Sequence, residues 1–366
     1  DKEPTSVEPD GLIWCGLVGL IDPIRDGVKQ TLEAFHRAGI ETAMITGDQS
    51  STAQAIAREL DLANGKRLET IDSVTLDQMD AELLAGILRR VQVFARVSPA
   101  HKLAIVQALQ RGGKVVAMTG DGINDGPALR VADLGIAMGG EGSSVAGELA
   151  DIVLKDDKLE TLIGAIAQGR TIFLNIRKSV RFLLSSNFSE IAVMAVGTAI
   201  SPTAPMNPMQ LLWINLLTDV APALALGLEP PEPDELLRPP RPPMAPILER
   251  RDLRRLMFEG LVMTAGGLAS YGYATLRYGA GPRASTHVFM TLTLSQLFNA
   301  VSSRSEHHRV FGNRQLARNP FLTASVAGSI AIQGLALFAP PLRKLLGTTP
   351  VSLSDLIVIA GSAIAP

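Results

Sequence analysis

Up to about residue 177, short apolar, β-branched runs alternate with stretches of helical period. Beyond it the apolar runs lengthen to the roughly 20 residues that cross a bilayer. Five early runs read as strands: "IWCGLVGLI", "ETAMITGD", "VQVFARV", "KVVAMTGD" and "DIVL". Between them "DGVKQTLEAFHRAG", "SSTAQAIAREL" and "PAHKLAIVQALQRGG" read as helices, the first and last closing on Gly. This alternation predicts a parallel sheet covered on both faces, and such sheets gather ligands at the carboxyl ends of their strands. The "TGD" of Thr46–Asp48 and the "TGDGIND" of Thr119–Asp125 both fall at such ends. The two acidic loops are therefore expected to share one site.

In the second half, spans are expected near 179–200, 206–228, 256–276, 284–303 and 320–338, with a sixth starting at Val351. The loop "EPPEPDELLRPPRPPMAPILERRDLRR" carries six Arg, which places it on the cytoplasmic side. "SRSEHHRVFGNRQLARNP" agrees, whereas the Arg residues of "RYGAGPRAS" and the Arg343–Lys344 pair fall on the other face. The sheet domain precedes the first span and is thereby placed in the cytoplasm.

Two spans carry charge. Asn187 and Glu190 in "SSNFSE" are three apart, hence on one helical face, and Asn215, Thr218 and Asp219 in "LLWINLLTDVAPALALGL" repeat that spacing, followed by Pro222. A carboxylate in hydrocarbon is costly and marks a functional candidate, with polar glue between helices as the plain alternative. Two carboxylates with neutral oxygen donors on adjacent helices suit a hard cation, which takes six to eight oxygens in the case of Ca2+. Gln296 in "TLSQLFNA" offers a further amide oxygen, or glue.

Composition narrows the class. Of 366 residues, 46% are hydrophobic and 19% charged, with mean hydropathy +0.22, as for a soluble portion joined to a membrane portion. The net charge of -2 argues against a nucleic-acid partner. A single cysteine, Cys15, excludes a disulfide framework, and its apolar surroundings predict a buried thiol. The opening "DKEPTSVEPDG" resembles no signal peptide and reads as the start of a fragment. His36, His307 and His308 show no metal-ligand spacing.

"GLVGLIDPIRDGV", "MITGD", "FARVSPAHKLAIVQAL", "MTGDGINDGPALRVADLGIAMG", "SSNFSE" and "LLWINLLTD" occur in that order. In this the chain resembles the carboxyl-terminal half of a P-type cation-transporting ATPase, nearest the calcium-pump-like type II group. The resemblance implies a haloacid dehalogenase-like α/β phosphorylation domain over 1–157, a connecting stalk helix over 158–178 and an all-α membrane domain of about six spans over 179–366. It implies ATP-driven cation transport through an aspartyl phosphate, with Mg2+ and ATP at the sheet and a transported cation, first Ca2+ and otherwise Na+ or another ion, in the bilayer. Thr46, Gly47 and Asp48 would meet the phosphoryl oxygens, and Lys102, otherwise a solvated lysine, would stabilise the transferring group. Asp121 and Asp125 would serve Mg2+, and Asn124 would support the phosphorylated site. Asn187, Glu190, Asn215, Thr218, Asp219 and Gln296 would line the ion path. The family's "DKTGT", which carries the nucleophile on the central strand, does not occur in these residues, so they are expected to be inactive by themselves. For a prokaryotic source the plasma membrane is implied. A membrane-anchored haloacid dehalogenase-like phosphatase and a non-enzymatic channel or scaffold are the rivals, although a simple anchor needs only one span.

Overall fold

A computed structural model of the protein describes residues 13, 15–19, 23–79, 81–88, 90–139, 145–201, 203–305 and 316–363. In chain order the sheet domain holds α1 (Val28–Arg37), β1 (Met44–Ile45), α2 (Ser50–Glu59), β2 (Thr70–Asp72), α3 (Ser73–Asp77), α4 (Ala81–Ile87) and β3 (Val93–Ala95). It continues through α5 (Pro99–Arg111), β4 (Ala117–Gly120), α6 (Gly126–Val131), β5 (Leu134–Met138), α7 (Val145–Leu149) and β6 (Ile152–Leu154).

The strands form two parallel three-stranded sheets, ordered β1-β3-β2 and β4-β5-β6, rather than the single sheet the alternation predicts. One core unites them: Val93 and Ala95 of β3, Ile136 of β5 and Leu154 of β6 are buried together under Leu32 and Phe35 of α1 and Ala53 and Ala57 of α2. On the opposite faces, α5 sits astride both sheets. Its Ile105 and Ala108 join the cluster around Phe94, and Val106 joins the one around Met118 and Ala137. Alternate residues of β3 thus face opposite layers, as the pleat requires. Ile45 of β1 packs against both α5-centred clusters, which sets the end of β1 close to β4. Yet β1 and β4 are each the last strand of their sheet.

Two expectations fail at the start. "IWCGLVGLI" forms no strand among its described residues: Ile13, Leu17 and Val18 are 85%, 88% and 87% exposed, and Cys15 is exposed rather than buried. A strand is held by pairing, and no described strand pairs with this run. Conversely β2 and β5 come from stretches whose composition does not announce a strand. In β5, "LGIAM", Gly135 is needed for closeness, because a Cβ there would lie 2.5 Å from the Leu129 carbonyl oxygen.

The helical half holds α8 (Thr161–Ile200), α9 (Pro208–Trp213), α10 (Val220–Gly227), α11 (Arg250–Tyr278), α12 (Pro282–Ser302), α13 (Pro320–Phe338), α14 (Pro340–Leu346) and α15 (Leu353–Ala363). Each expected span meets a helix, and α13 matches its predicted bounds. Among the described residues three helical stretches are long and apolar enough to cross a membrane: Thr161–Ile200, Pro208–Gly227 and Pro320–Phe338. Helix α12 is more polar because most of it is interior to the bundle, where Thr286, His287, Thr291, Thr293, Ser295 and Gln296 are all fully buried. Helix α8 runs unbroken for 40 residues, from Leu162 packed on the sheet core to Val193 in the bundle core.

Candidate functional site

At the sheet edge, Thr46–Asp48 leaves β1 and Gly120–Asp125 leaves β4. The first loop closes on itself: the Thr46 hydroxyl donates to Asp48 Oδ2 at 2.9 Å, and the Asp48 N–H donates back to Thr46 Oγ1 at 3.1 Å. Thr46 is half-buried; Gly47 and Asp48 are exposed. In the second loop Asp125 is buried, and Lys102 Nζ in the first turn of α5 meets its Oδ1 at 2.5 Å. The Gly122 N–H donates to Asp125 Oδ2 at 3.4 Å. Asp121 and Asn124 are exposed. The structure therefore joins Lys102 and Asp125 directly and leaves Asp121, on the same loop, exposed. The described contacts give no direct bond between the two loops. Their link is the chain between β3 and α5, where the Arg96 N–H donates to the Asp48 carbonyl and the Val97 N–H to the Thr46 carbonyl.

In the helical half, three helices converge on Glu190 of α8, which is 5% exposed. Asn215 Nδ2 donates to its Oε2 at 2.8 Å, and Gln296 Nε2 of α12 donates to its Oε1 at 3.0 Å. The second span is not a plain α-helix. Ile214–Thr218 forms a π turn between α9 and α10, and the Asp219 N–H reaches the Ile214 carbonyl at 3.0 Å. Pro222 has no N–H to give the Thr218 carbonyl, so the regular ladder fails where the polar residues lie. The α-spacing read from sequence is widened accordingly. Asn215 turns to Glu190, while Asp219, 1% exposed, keeps both carboxylate oxygens buried without a hydrogen-bond partner among the described residues. Asn187 and Thr218 donate to their own helices, at the Leu183 and Ile214 carbonyls. Gln296 Oε1 and Ser186 Oγ are further buried oxygens without a described partner. Among the described residues no group of three or more His, Cys, Asp or Glu is placed to hold a metal ion. The set is two carboxylates with neutral oxygens, a composition suited to hard cations.

A third constellation was not read from the sequence. Below the bundle, α8 is clamped to the loop after α10. Asn175 Nδ2 donates to the Glu229 carbonyl at 2.7 Å and buried Lys178 meets Glu232 at 3.0 Å, while Arg177 meets Asp252 in the first turn of α11 at 2.7 Å. Arg170 donates to the carbonyls of Arg238 and of Ala38, tying the loop and α1 to the same helix. Burial alone would raise the Glu232 carboxyl, but the Lys178 ammonium and Arg238 guanidinium outweigh it and hold it below its ordinary value. The signal was present as acidic "EPPEPDE" and basic "RKSVR", but sequence spacing does not say which charges meet. At the other end Asp355 binds Arg283 at 2.6 Å and the Tyr278 hydroxyl at 2.9 Å, so one of the basic residues that breaks the loop-charge rule is paired. His307 and His308 lie outside the described residues.

Residues 3–133 match the haloacid dehalogenase-like hydrolase family, and residues 203–366 match the family "cation transporting ATPase, C-terminus". The chain is 39% identical over 350 residues to calcium-transporting ATPase type 2C member 1 of Homo sapiens, covering 96% of this chain and 38% of that protein. It is 40% identical over 359 residues to the calcium-transporting ATPase of Bacillus subtilis (strain 168), covering 97% of this chain and 40% of that protein. The chain belongs to the P-type cation-transporting ATPases. It spans about two fifths of the length of these relatives. The parallel sheets with acidic loops form the haloacid dehalogenase-like part, and the helices around Glu190 fall in and before the cation-transporting ATPase match.

Proposed function

We propose that this chain supplies the phosphate-handling edge and the ion path of an ATP-driven cation pump, with Ca2+ as the ion carried. The observation that carries the reading is the convergence of Glu190, Asn215 and Gln296 beside Asp219 at a π turn, on a helix continuous with the sheet domain. Carboxylate and amide oxygens beside a broken helix are how membrane proteins hold hard cations. The names of the relatives support Ca2+.

At the sheet edge the chemistry is positioning and charge neutralisation, because phosphoryl transfer asks little else of the protein. Lys102 is held by Asp125 where its ammonium can meet a phosphoryl oxygen. On the facing loop the Gly47 N–H is the donor, and the Thr46 hydroxyl, given to Asp48 here, would turn to a phosphoryl oxygen when one is bound. Asp121 has the solvent-facing hard oxygens that would hold Mg2+, whose charge, when bound, offsets that of the phosphate. Asp125, engaged with Lys102, shapes the loop on which Asp121 sits, and Asn124 is exposed beside them for a phosphoryl oxygen. The nucleophile would enter on a strand between the unpaired edges of β1 and β4, which lie on either side of α5.

The test is ATP hydrolysis by the full-length protein against Ca2+ concentration. Asp219→Asn removes one of two carboxylates from the oxygen cage and is expected to raise the Ca2+ needed for half-maximal rate about tenfold or more, since ligand charge tunes such sites. ATP binding stays intact. An unchanged Ca2+ dependence would make these carboxylates helix glue and end the proposal.

A further inference from the structure

The seven residues from the end of β3 into α5 connect the Thr46–Asp48 loop to Lys102, and three consecutive backbone donors along them are fixed. The Arg96 N–H goes to the Asp48 carbonyl at 2.9 Å and the Val97 N–H to the Thr46 carbonyl at 3.1 Å. The third, Ser98 N–H, goes to a side chain, His101 Nδ1, at 3.1 Å. Ser98 caps α5 in return, its Oγ accepting the His101 N–H at 3.3 Å, which completes a reciprocal capping box with histidine in the place usually held by Glu or Gln. The far side of the ring, Nε2, meets Asp77 Oδ1 at the end of α3 at 2.9 Å. Arg96 itself holds φ +55°, a left-handed conformation that a non-glycine residue keeps only when its surroundings fix it.

We propose that His101 is a positioning residue: its Nδ1 lone pair holds the Ser98 N–H and thereby keeps Lys102, the next residue, in register with the Thr46–Asp48 loop. The inference rests on the proposed role of Lys102 in phosphoryl transfer. The geometry fixes the tautomer. Nδ1 accepts, so it carries no proton, and the single ring proton sits on Nε2 and points to Asp77. Removing the acceptor frees the Ser98 N–H and lets the first turn of α5 fray, because an N-terminal turn has no intrahelical partners for its donors. Lys102 Nζ would then hold Asp125 without a fixed relation to the facing loop. The hook matters because the two loops share no direct described bond.

Three substitutions separate the acceptor from the ring's contact with Asp77. His101→Ala loses both. His101→Lys still offers Asp77 an N–H donor but has no acceptor for the Ser98 N–H. His101→Gln supplies a side-chain oxygen to the Ser98 N–H, the usual capping-box arrangement. The assay is the single-turnover rate of phosphoenzyme formation from radiolabelled ATP by the full-length protein at saturating Ca2+, with Lys102→Ala as reference. The expected result is a fall of about five- to tenfold for Ala and for Lys, with Gln restoring the rate to within about twofold of the parent. Affinity for ATP is unmoved in all three. A normal rate in the Lys variant beside a slow Ala variant would assign the effect to Asp77 and overturn the proposal. So would equal rates for Lys and Gln, fast or slow, and this comparison decides the matter even where the Ala variant folds poorly. If the His101 variants are all normal while Lys102→Ala is dead, only the positioning role fails. If Lys102→Ala itself phosphorylates normally, the reading of the site fails with it.

Discussion

Gly120 ends β4 directly under the Asp125 side chain, and replacing it with alanine tests whether the Lys102–Asp125 pair sets the chemistry. A Cβ at Gly120 would lie 2.6 Å from Asp125 Cβ, 2.8 Å from its Cγ and 2.9 Å from its Oδ2. Carbon atoms in contact sit at about 3.5–4.0 Å, so the Asp125 side chain must retreat by about 1 Å. It has little room, being buried and joined to Lys102 at 2.5 Å. Overpacking of this kind costs about 1–3 kcal/mol, and a displacement of about 1 Å at a reacting site costs about a hundredfold in rate. Gly120→Ala is therefore expected to slow phosphoenzyme formation by the full-length protein about a hundredfold and to lower its thermal midpoint. The neighbouring substitution separates the two effects. At Gly122 a Cβ would find nothing nearer than Asp125 Oδ2 at 3.7 Å, with φ −110° and ψ 161°, a conformation open to any residue. Gly122→Ala should raise stability by about 0.4–1 kcal/mol by restricting the unfolded chain. Wild-type phosphorylation in Gly120→Ala would refute the reasoning, since the carboxylate would have moved without consequence.

Lys178→Met removes a buried cation from the buried Glu232 and should destabilise the junction between α8 and the following loop by about 3 kcal/mol, read as a lower thermal midpoint; an unchanged midpoint would mean the pair is not structural. The same clamp has a definite pH sign. The Glu232 carboxyl is held below its ordinary 4.5, so its contribution is fully present at neutral pH and is lost only as pH falls through the lowered value. Hydrogen exchange at the amides of 228–238 should therefore stay slow down to about pH 4.5 and accelerate below it, and acceleration already at pH 6 would contradict the assignment. Inserting Gly-Ser after Gly169 rotates the two parts of α8 by about 200° relative to each other, dividing Leu162 and Ile166 on the sheet core from Asn175 and Lys178 on the loop. Ca2+ binding and ATP binding should each survive while Ca2+ ceases to stimulate hydrolysis; retained stimulation would show that α8 is not the coupling element.

Local pattern determined a great deal here. The period of α1, α2 and α5, the Ser98-Pro99 start and the spacing of apolar runs are local properties, and the helices appear where those signals stand. The acidic loops at strand ends and the carboxylates in apolar helices were legible for the same reason, since a charge in an apolar context is conspicuous in any window. What tertiary structure decided is pairing. An apolar run is a strand only if an edge accepts it, so "IWCGLVGLI", the most apolar of the five candidates, forms none among its described residues and leaves Cys15 exposed, whereas glycine-containing "LGIAM" is the central strand of its sheet. The π turn at Ile214–Thr218 was likewise hidden, because only packing decides how a helix weakened by Pro222 redistributes its hydrogen bonds. Which oxygens stay free is a tertiary outcome too. Asn187 and Thr218 share the sequence signature of Asn215, but their described donors go to their own helices alone, while Asn215 divides its amide between the Leu211 carbonyl and Glu190. Charges far apart in the chain, such as Lys178 with Glu232 and Arg283 with Asp355, meet only because α8, α12 and α15 cross the bundle at fixed places, and no spacing rule within one segment contains that information.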